Sequence, residues 1–179
     1  MPKARQTQRR RAPTRLSLMR TLQRVRLVAM DVDGVLTDAG MYYSESGDEL
    51  KKFNTRDGMG IKLLQAAGFV TAFITREKTA IVERRGQMLA VPEVYQGVAA
   101  KLALLTTLAQ KYGLSLEQVA YIGDDVNDLE ALRAVGFSAA PADAMPSVLK
   151  AVHYICTKKG GEGAVREIAD LILASRKQP

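Results

Sequence analysis

The chain is predicted to be an α/β protein with a doubly wound, mostly parallel sheet, a β-hairpin insertion and no cap domain. Three observations lead there. Short β-prone apolar runs alternate with helical segments from residue 27 onward, the pattern of a parallel sheet covered on both faces. Three of those runs end in polar groups, Asp31/Asp33, Thr75 and Asp124/Asp125, and in such sheets sites lie beyond the carboxyl ends of the strands. The 179 residues, 47% of them hydrophobic, suit one core of ordinary size and a single domain.

In chain order, residues 1–26 hold nine of the 26 basic residues and no Asp or Glu, which leaves 17 basic residues against 19 acidic ones in the body. The net charge of +7 is therefore a property of the tail. Arg9-Arg10-Arg11 beside Ala12-Pro13 can bury little apolar surface, so residues up to about 15 are expected to be disordered. Leu16, Met19, Leu22 and Val25 recur at a spacing compatible with a short amphipathic helix. The division drawn is a basic, flexible extension over residues 1–23 and a single domain over 24–179. A solvated extension, a targeting presequence and a polyanion-binding arm all remain open for the first segment.

Val28-Ala29-Met30 reads as a buried strand that ends at Asp31 and Asp33. Side chains two apart share one side of an extended chain, and Gly34 permits a sharp turn. Two carboxylates that close repel unless a cation or shared proton separates them, and oxygen-only ligands favour Mg²⁺. Taken alone, Asp-x-Asp-Gly is equally well an Asx turn. Residues 41–53 read as a hairpin around Gly47, and 58–67 as a helix stopped by Gly68. Strand 69–74 ends at Thr75. A helix over 78–89, a short strand at 93–95 and a helix over 101–112 follow. Strand 119–122 leads into Gly123-Asp124-Asp125, then come a helix over 127–135, a strand at 137–139, a helix opened by Pro146, a strand at 154–156 and a helix over 164–175.

The single Cys156 and single His153 exclude a disulfide framework and a cysteine- or histidine-rich metal site. No apolar run reaches the roughly 20 residues needed to span a bilayer, so a soluble, cytoplasmic protein is expected. Nucleic acid is not an expected partner, because the body carries no basic stripe interleaved with aromatics.

Asp31-Val-Asp33-Gly-Val-Leu-Thr, then Thr75, then Lys101 before a helix, then Gly123-Asp124-Asp125-Val-Asn-Asp128 together resemble the haloacid-dehalogenase superfamily, a Rossmann-like fold. The resemblance implies phosphoryl transfer through an aspartyl-phosphate. Asp31 would be the nucleophile and Asp33 the general acid and base. Mg²⁺ would be held by Asp31, the Asp33 carbonyl and Asp124. Thr75 and Lys101 would bind phosphate oxygens, with Asp125 and Asp128 supporting the metal or Lys101 from behind.

About 40 residues separate Asp33 from Thr75 and about 25 separate Thr75 from Lys101, so neither gap holds a cap. Asp31–Asp38, Phe53–Ile61, Tyr95–Gly97, Tyr121–Asp125, Ala142–Ala144 and Gly160–Glu167 resemble the 3-deoxy-D-manno-octulosonate 8-phosphate phosphatase family. That resemblance implies a homotetramer whose neighbouring subunits complete the site, places Arg56 and Asp57 near the sugar, and has the glycine-rich segment pack against or cover the site. Thr75-Arg76-Glu77-Lys78-Thr79 with Arg85 is instead similar to the branch acting on nine-carbon keto sugar acid 9-phosphates, which makes Glu77 and Arg85 candidate substrate contacts. A non-catalytic oligomerisation domain is the alternative of a different class.

Overall fold

The structure is a computed structural model and describes residues 15–47 and 49–176. The expected disorder before residue 15 and the fate of the arm's first residues lie outside the described residues.

Six parallel strands form the central sheet: β1 (Leu27–Met30), β4 (Val70–Ile74), β5 (Glu93–Tyr95), β6 (Val119–Ile122), β7 (Phe137–Ala140) and β8 (Tyr154–Ile155). Their order is β5-β4-β1-β6-β7-β8, with the first strand in the middle. The hairpin is a separate antiparallel pair, β2 (Tyr42–Tyr43) and β3 (Glu49–Leu50), with arms shorter than expected.

Alternation along the central strands assigns the two faces. Val28 and Met30 of β1, Phe73 of β4 and Ile122 of β6 point into one core layer. Leu27, Ala29, Ile74 and Tyr121 point into the other. The first layer is roofed by α1 (Arg15–Arg24), α2 (Thr55–Ala66), α3 (Ala80–Met88) and α7 (Ala164–Arg176), and the second by α4 (Lys101–Lys111), α5 (Leu129–Ala134) and α6 (Pro146–Leu149). Among the described residues, no helix is long and apolar enough to cross a membrane.

The expected division after residue 23 falls within packed structure. Helix α1 runs from Arg15, Leu22 and Val25 are fully buried, and Leu18 and Met19 pack against the same layer. The three-residue apolar step covers α7, so α1 belongs to the folded body.

Register brings the strand ends together. Met30 is paired with Phe73 on one side and Ile122 on the other, so the residues that follow each strand leave the sheet at one edge. The turn after β1 is closed by the amides of Leu36 and Thr37, both donating to the Val32 carbonyl at 2.9 and 3.1 Å. Beneath it lies the glycine-rich segment before α7. A Cβ at Gly160 would meet the Gly34 carbonyl oxygen at 2.0 Å, and the Gly161 amide donates to the Val35 carbonyl at 3.1 Å. The segment packs under the turn that follows Asp31.

Candidate active site

Asp31 leaves β1 nearly buried, at 5% exposure. One carboxylate oxygen accepts the Val32 amide at 2.7 Å and the other accepts the Lys101 ammonium at 2.6 Å. Gly34, at a φ of 81°, lets the neighbouring strand's acid close in: a Cβ there would sit 2.0 Å from Asp124 Oδ2. Only glycine offers both that backbone angle and that space.

Asp31, Asp124 and Asp128 each place a carboxylate oxygen within 4.8 Å of the others. Their hydrogen bonds separate their roles. Asp128 is fully buried and committed. Its Oδ1 accepts Lys101 at 2.7 Å and the Tyr121 hydroxyl at 2.6 Å, while Oδ2 accepts the amides of Asp124 and Asp125 at 3.0 and 3.3 Å. It supports its neighbours from behind. Asp124 is the opposite case, because its Oδ1 is buried without a partner.

Burial, then the carboxylate of Asp31, then that of Asp128 push Asp124 up to about 8. Burial, followed by Asp128, raises Asp31 to about 7 against the opposing pull of Lys101. Such crowding is relieved by a bound cation. Hard oxygen donors with one orphaned carboxylate atom fit Mg²⁺.

Asp33, two residues beyond Asp31, accepts the Lys51 ammonium on Oδ1 at 2.5 Å, and its Oδ2 is buried with no partner. Thr75 is buried at the end of β4, where its hydroxyl accepts the Glu77 amide at 3.3 Å. Asp31, Asp33, Thr75, Arg76, Glu77 and Asp124 line a cavity of about 330 Å³. A larger open cleft, about 470 Å³, lies at the other end of the strands beside Arg20, Arg24, Arg26 and Glu117. It brings together no carboxylate pair and no buried hydroxyl, so the chemistry belongs to the smaller cavity.

Several expected site residues stand elsewhere. Asp57 does not face the cavity. It is fully buried and accepts the amides of Gly163 and Arg166 at 3.1 and 2.8 Å. Its carboxylate caps the start of α7, where the first amides of a helix lack partners. Arg85 is likewise turned away, its guanidinium 5.3 Å from the Phe53 ring and donating to the Asn54 carbonyl at 3.2 Å. Arg56 is exposed on the first turn of α2, outside the cavity lining. Asp125 lines the cavity mouth, but its carboxylate accepts the adjacent Val126 amide at 2.6 Å and reaches neither Lys101 nor Asp124. Its support for Asp128 comes through its backbone N–H. Lys101 lies behind Asp31, bridging it to Asp128.

Sequence reasoning missed Lys51, Arg76 and Tyr121. Lys51 sits in a Glu-Leu-Lys-Lys run that reads as a solvated strand arm. Tyr121 is one residue of an apolar strand whose hydroxyl finds its acid seven positions on. Arg76 follows Thr75 directly and was legible by adjacency alone.

Residues 70–168 match the haloacid dehalogenase-like hydrolases. The chain is 40% identical over 164 residues to the 3-deoxy-D-manno-octulosonate 8-phosphate phosphatase KdsC of Escherichia coli (strain B / BL21-DE3), covering 92% of this chain and 87% of that protein. Against the same-named phosphatase of Yersinia pestis it is 43% identical over 152 residues, covering 85% of this chain and 81% of that one. Among solved structures, that of the Moraxella catarrhalis phosphatase in complex with magnesium ion, phosphate ion and KDO superposes with a TM-score of 0.88 at 38% identity, covering 90% of this chain and 93% of that one. A probable YrbI family phosphatase from Pseudomonas syringae superposes with a TM-score of 0.87 at 47% identity, covering 89% and 91%. With the parallel sheet, the capless cavity and the three acids at its edge, these likenesses put the chain in the 3-deoxy-D-manno-octulosonate 8-phosphate phosphatase family of the haloacid dehalogenase-like hydrolases.

Proposed function

We propose that the protein is a Mg²⁺-dependent phosphatase hydrolysing 3-deoxy-D-manno-octulosonate 8-phosphate. The observation that carries the reading is the acid cluster at the carboxyl edge of the sheet, with Asp31 facing the cavity and Asp124 Oδ1 buried and unpartnered. Asp31, the Asp33 backbone carbonyl and Asp124 would hold Mg²⁺, which when bound neutralises carboxylate and phosphate charge together.

The side chains then divide the work. An Asp31 oxygen attacks phosphorus while the bond from phosphorus to the sugar oxygen breaks. Asp33 gives its proton to that leaving oxygen. A water molecule next attacks the aspartyl-phosphate, its proton passing to Asp33, and Asp31 is regenerated with release of phosphate. Lys101, salt-bridged to Asp31 and Asp128 at 2.6 and 2.7 Å, fixes the nucleophile and has one further N–H for a phosphate oxygen. The Thr75 hydroxyl holds a second oxygen.

The nine-carbon alternative rests on Glu77 with Arg85. Glu77 lines the cavity, but Arg85 packs on Phe53, which favours the eight-carbon sugar. The reading also carries a cytoplasmic homotetramer. In it, the exposed Arg56 would serve a neighbouring subunit's site, and the shallow cavity would gain the cover that a cap gives elsewhere.

The test is a panel of eight- and nine-carbon keto sugar acid phosphates with Mg²⁺ present. We expect kcat/KM to favour the eight-carbon substrate by at least about tenfold, and Asp31→Asn to lose about 10³-fold or more in kcat. A ratio near unity would sink the substrate assignment, and near-normal turnover in Asp31→Asn would sink the nucleophile.

A further inference from the structure

Lys51 is the most unusual charged residue outside the acid cluster. It follows β3, on the return arm of a hairpin whose strand residues are largely exposed, yet its own side chain is 1% exposed. Its ammonium lies 2.5 Å from Asp33 Oδ1, 2.8 Å from Glu77 Oε2 and 3.7 Å from Glu49 Oε1. A buried ammonium is costly unless its donors find acceptors, and here it donates to Asp33 and Glu77, with the Glu49 carboxylate near enough to add ion-pair attraction. Two of those carboxylates, Asp33 and Glu77, line the catalytic cavity.

The consequence for Asp33 is geometric. Oδ1 is occupied by Lys51, whereas Oδ2 is buried and unpartnered. A carboxyl group held by one oxygen presents the other in a fixed direction, the pre-organisation that a proton-transferring group needs.

We propose that Lys51 is a positioning residue for the phosphatase reaction: it pins Asp33 Oδ1 so that Oδ2 faces the leaving oxygen, and it ties Glu77 to the same anchor. This rests on the reading of Asp33 as general acid and base. In the first half-reaction the bond from Asp31 to phosphorus forms, the bond from phosphorus to the sugar oxygen breaks, and the electron pair left on that oxygen takes the proton from Asp33 Oδ2. In the second, the water oxygen bonds to phosphorus, a water proton returns to Oδ2, and the bond to Asp31 breaks. Lys51 stays protonated throughout and transfers nothing.

The leaving group separates this role from a merely structural one. A sugar alkoxide needs a proton to depart, whereas nitrophenolate departs without one. Leaving-group release in the first turnover, followed by rapid mixing, isolates the step before the intermediate that both substrates share. Lys51→Met is expected to slow that step about 10- to 100-fold for the octulosonate phosphate and less than about threefold for p-nitrophenyl phosphate, with KM for the sugar phosphate changed less than about threefold. Lys51→Arg keeps the charge and should recover most of the lost sugar-to-aryl rate ratio, and it serves as the folded probe should Lys51→Met unfold.

Asp33→Asn distinguishes the two levels of the argument. If it shows the selective loss and Lys51→Met slows both substrates equally or not at all, the role given to Lys51 is overturned and the parent reading stands. If Asp33→Asn itself slows both substrates equally, the acid role fails and the proposal fails with it.

Discussion

Asp31 and Asp124 carry the cost of bringing acids together without a cation. Burial first, then the neighbouring carboxylates (Asp128 for Asp31; Asp31 and Asp128 for Asp124), raise them from an ordinary 3.8 to about 7 and about 8, so in the metal-free protein folding favours their protonated forms. That contribution is fully present below about pH 4 and is lost as pH rises through 7 to 8. With chelator present, the wild-type Tm should therefore fall more steeply between about pH 5 and pH 8 than that of Asp124→Asn, by at least about 3 °C. Mg²⁺ should restore wild type most at the upper end. Parallel slopes for the two proteins would count against this electrostatic picture. The strand-end acids and Thr75 were legible in the sequence because parallel register delivers strand ends to one edge. Lys51 and Asp57 were not, since their environments are set by packing: the amides that Asp57 accepts lie 106 and 109 positions away.

Helices show where periodicity succeeds and where small residues mislead it. Helix α2 buries Gly58, Gly60, Ile61 and Leu64 while Met59 and Leu63 stand exposed. Counting apolar residues overlooks the glycine face that lets α7 approach: a Cβ at Gly60 would already lie 3.0 Å from the Arg166 Cα. Helix α1 is the converse case. Its arginines suggested a solvated arm, but Leu22 is fully buried in the layer shared with α7, and the Gln23 amide donates to the Ser175 carbonyl at 3.1 Å. Leu22→Ala should cost about 2 to 5 kcal/mol in chemical denaturation, whereas removing residues 1–14 should leave kcat unchanged. A negligible cost for Leu22→Ala would mean that α1 is an appendage after all.

At the scale of the whole molecule, the hairpin presents Met41, Tyr43 and Leu50 to solvent at 49, 65 and 65% exposure. An apolar surface on so small an insertion suits a subunit contact. Tyr43→Asp with Leu50→Asp should shift the particle to a smaller species by light scattering and lower kcat/KM on the sugar phosphate. An unchanged particle mass would remove the hairpin from the interface. The architecture was readable from alternation and strand-end chemistry, while the hairpin over 41–53 could be named only as a candidate subunit contact, because exposed apolar residues in a hairpin have the same pattern with or without a neighbour. The close approach of Gly160 and Gly161 to the turn at 34–37 also bears on synthesis. Asp31 leaves the ribosome early, but the turn that follows it rests on a segment made more than a hundred residues later. A nascent chain still lacking that segment has the acids of the first motif without their floor, so on the proposed reading Mg²⁺ binding is expected only once residues 160–161 have been made.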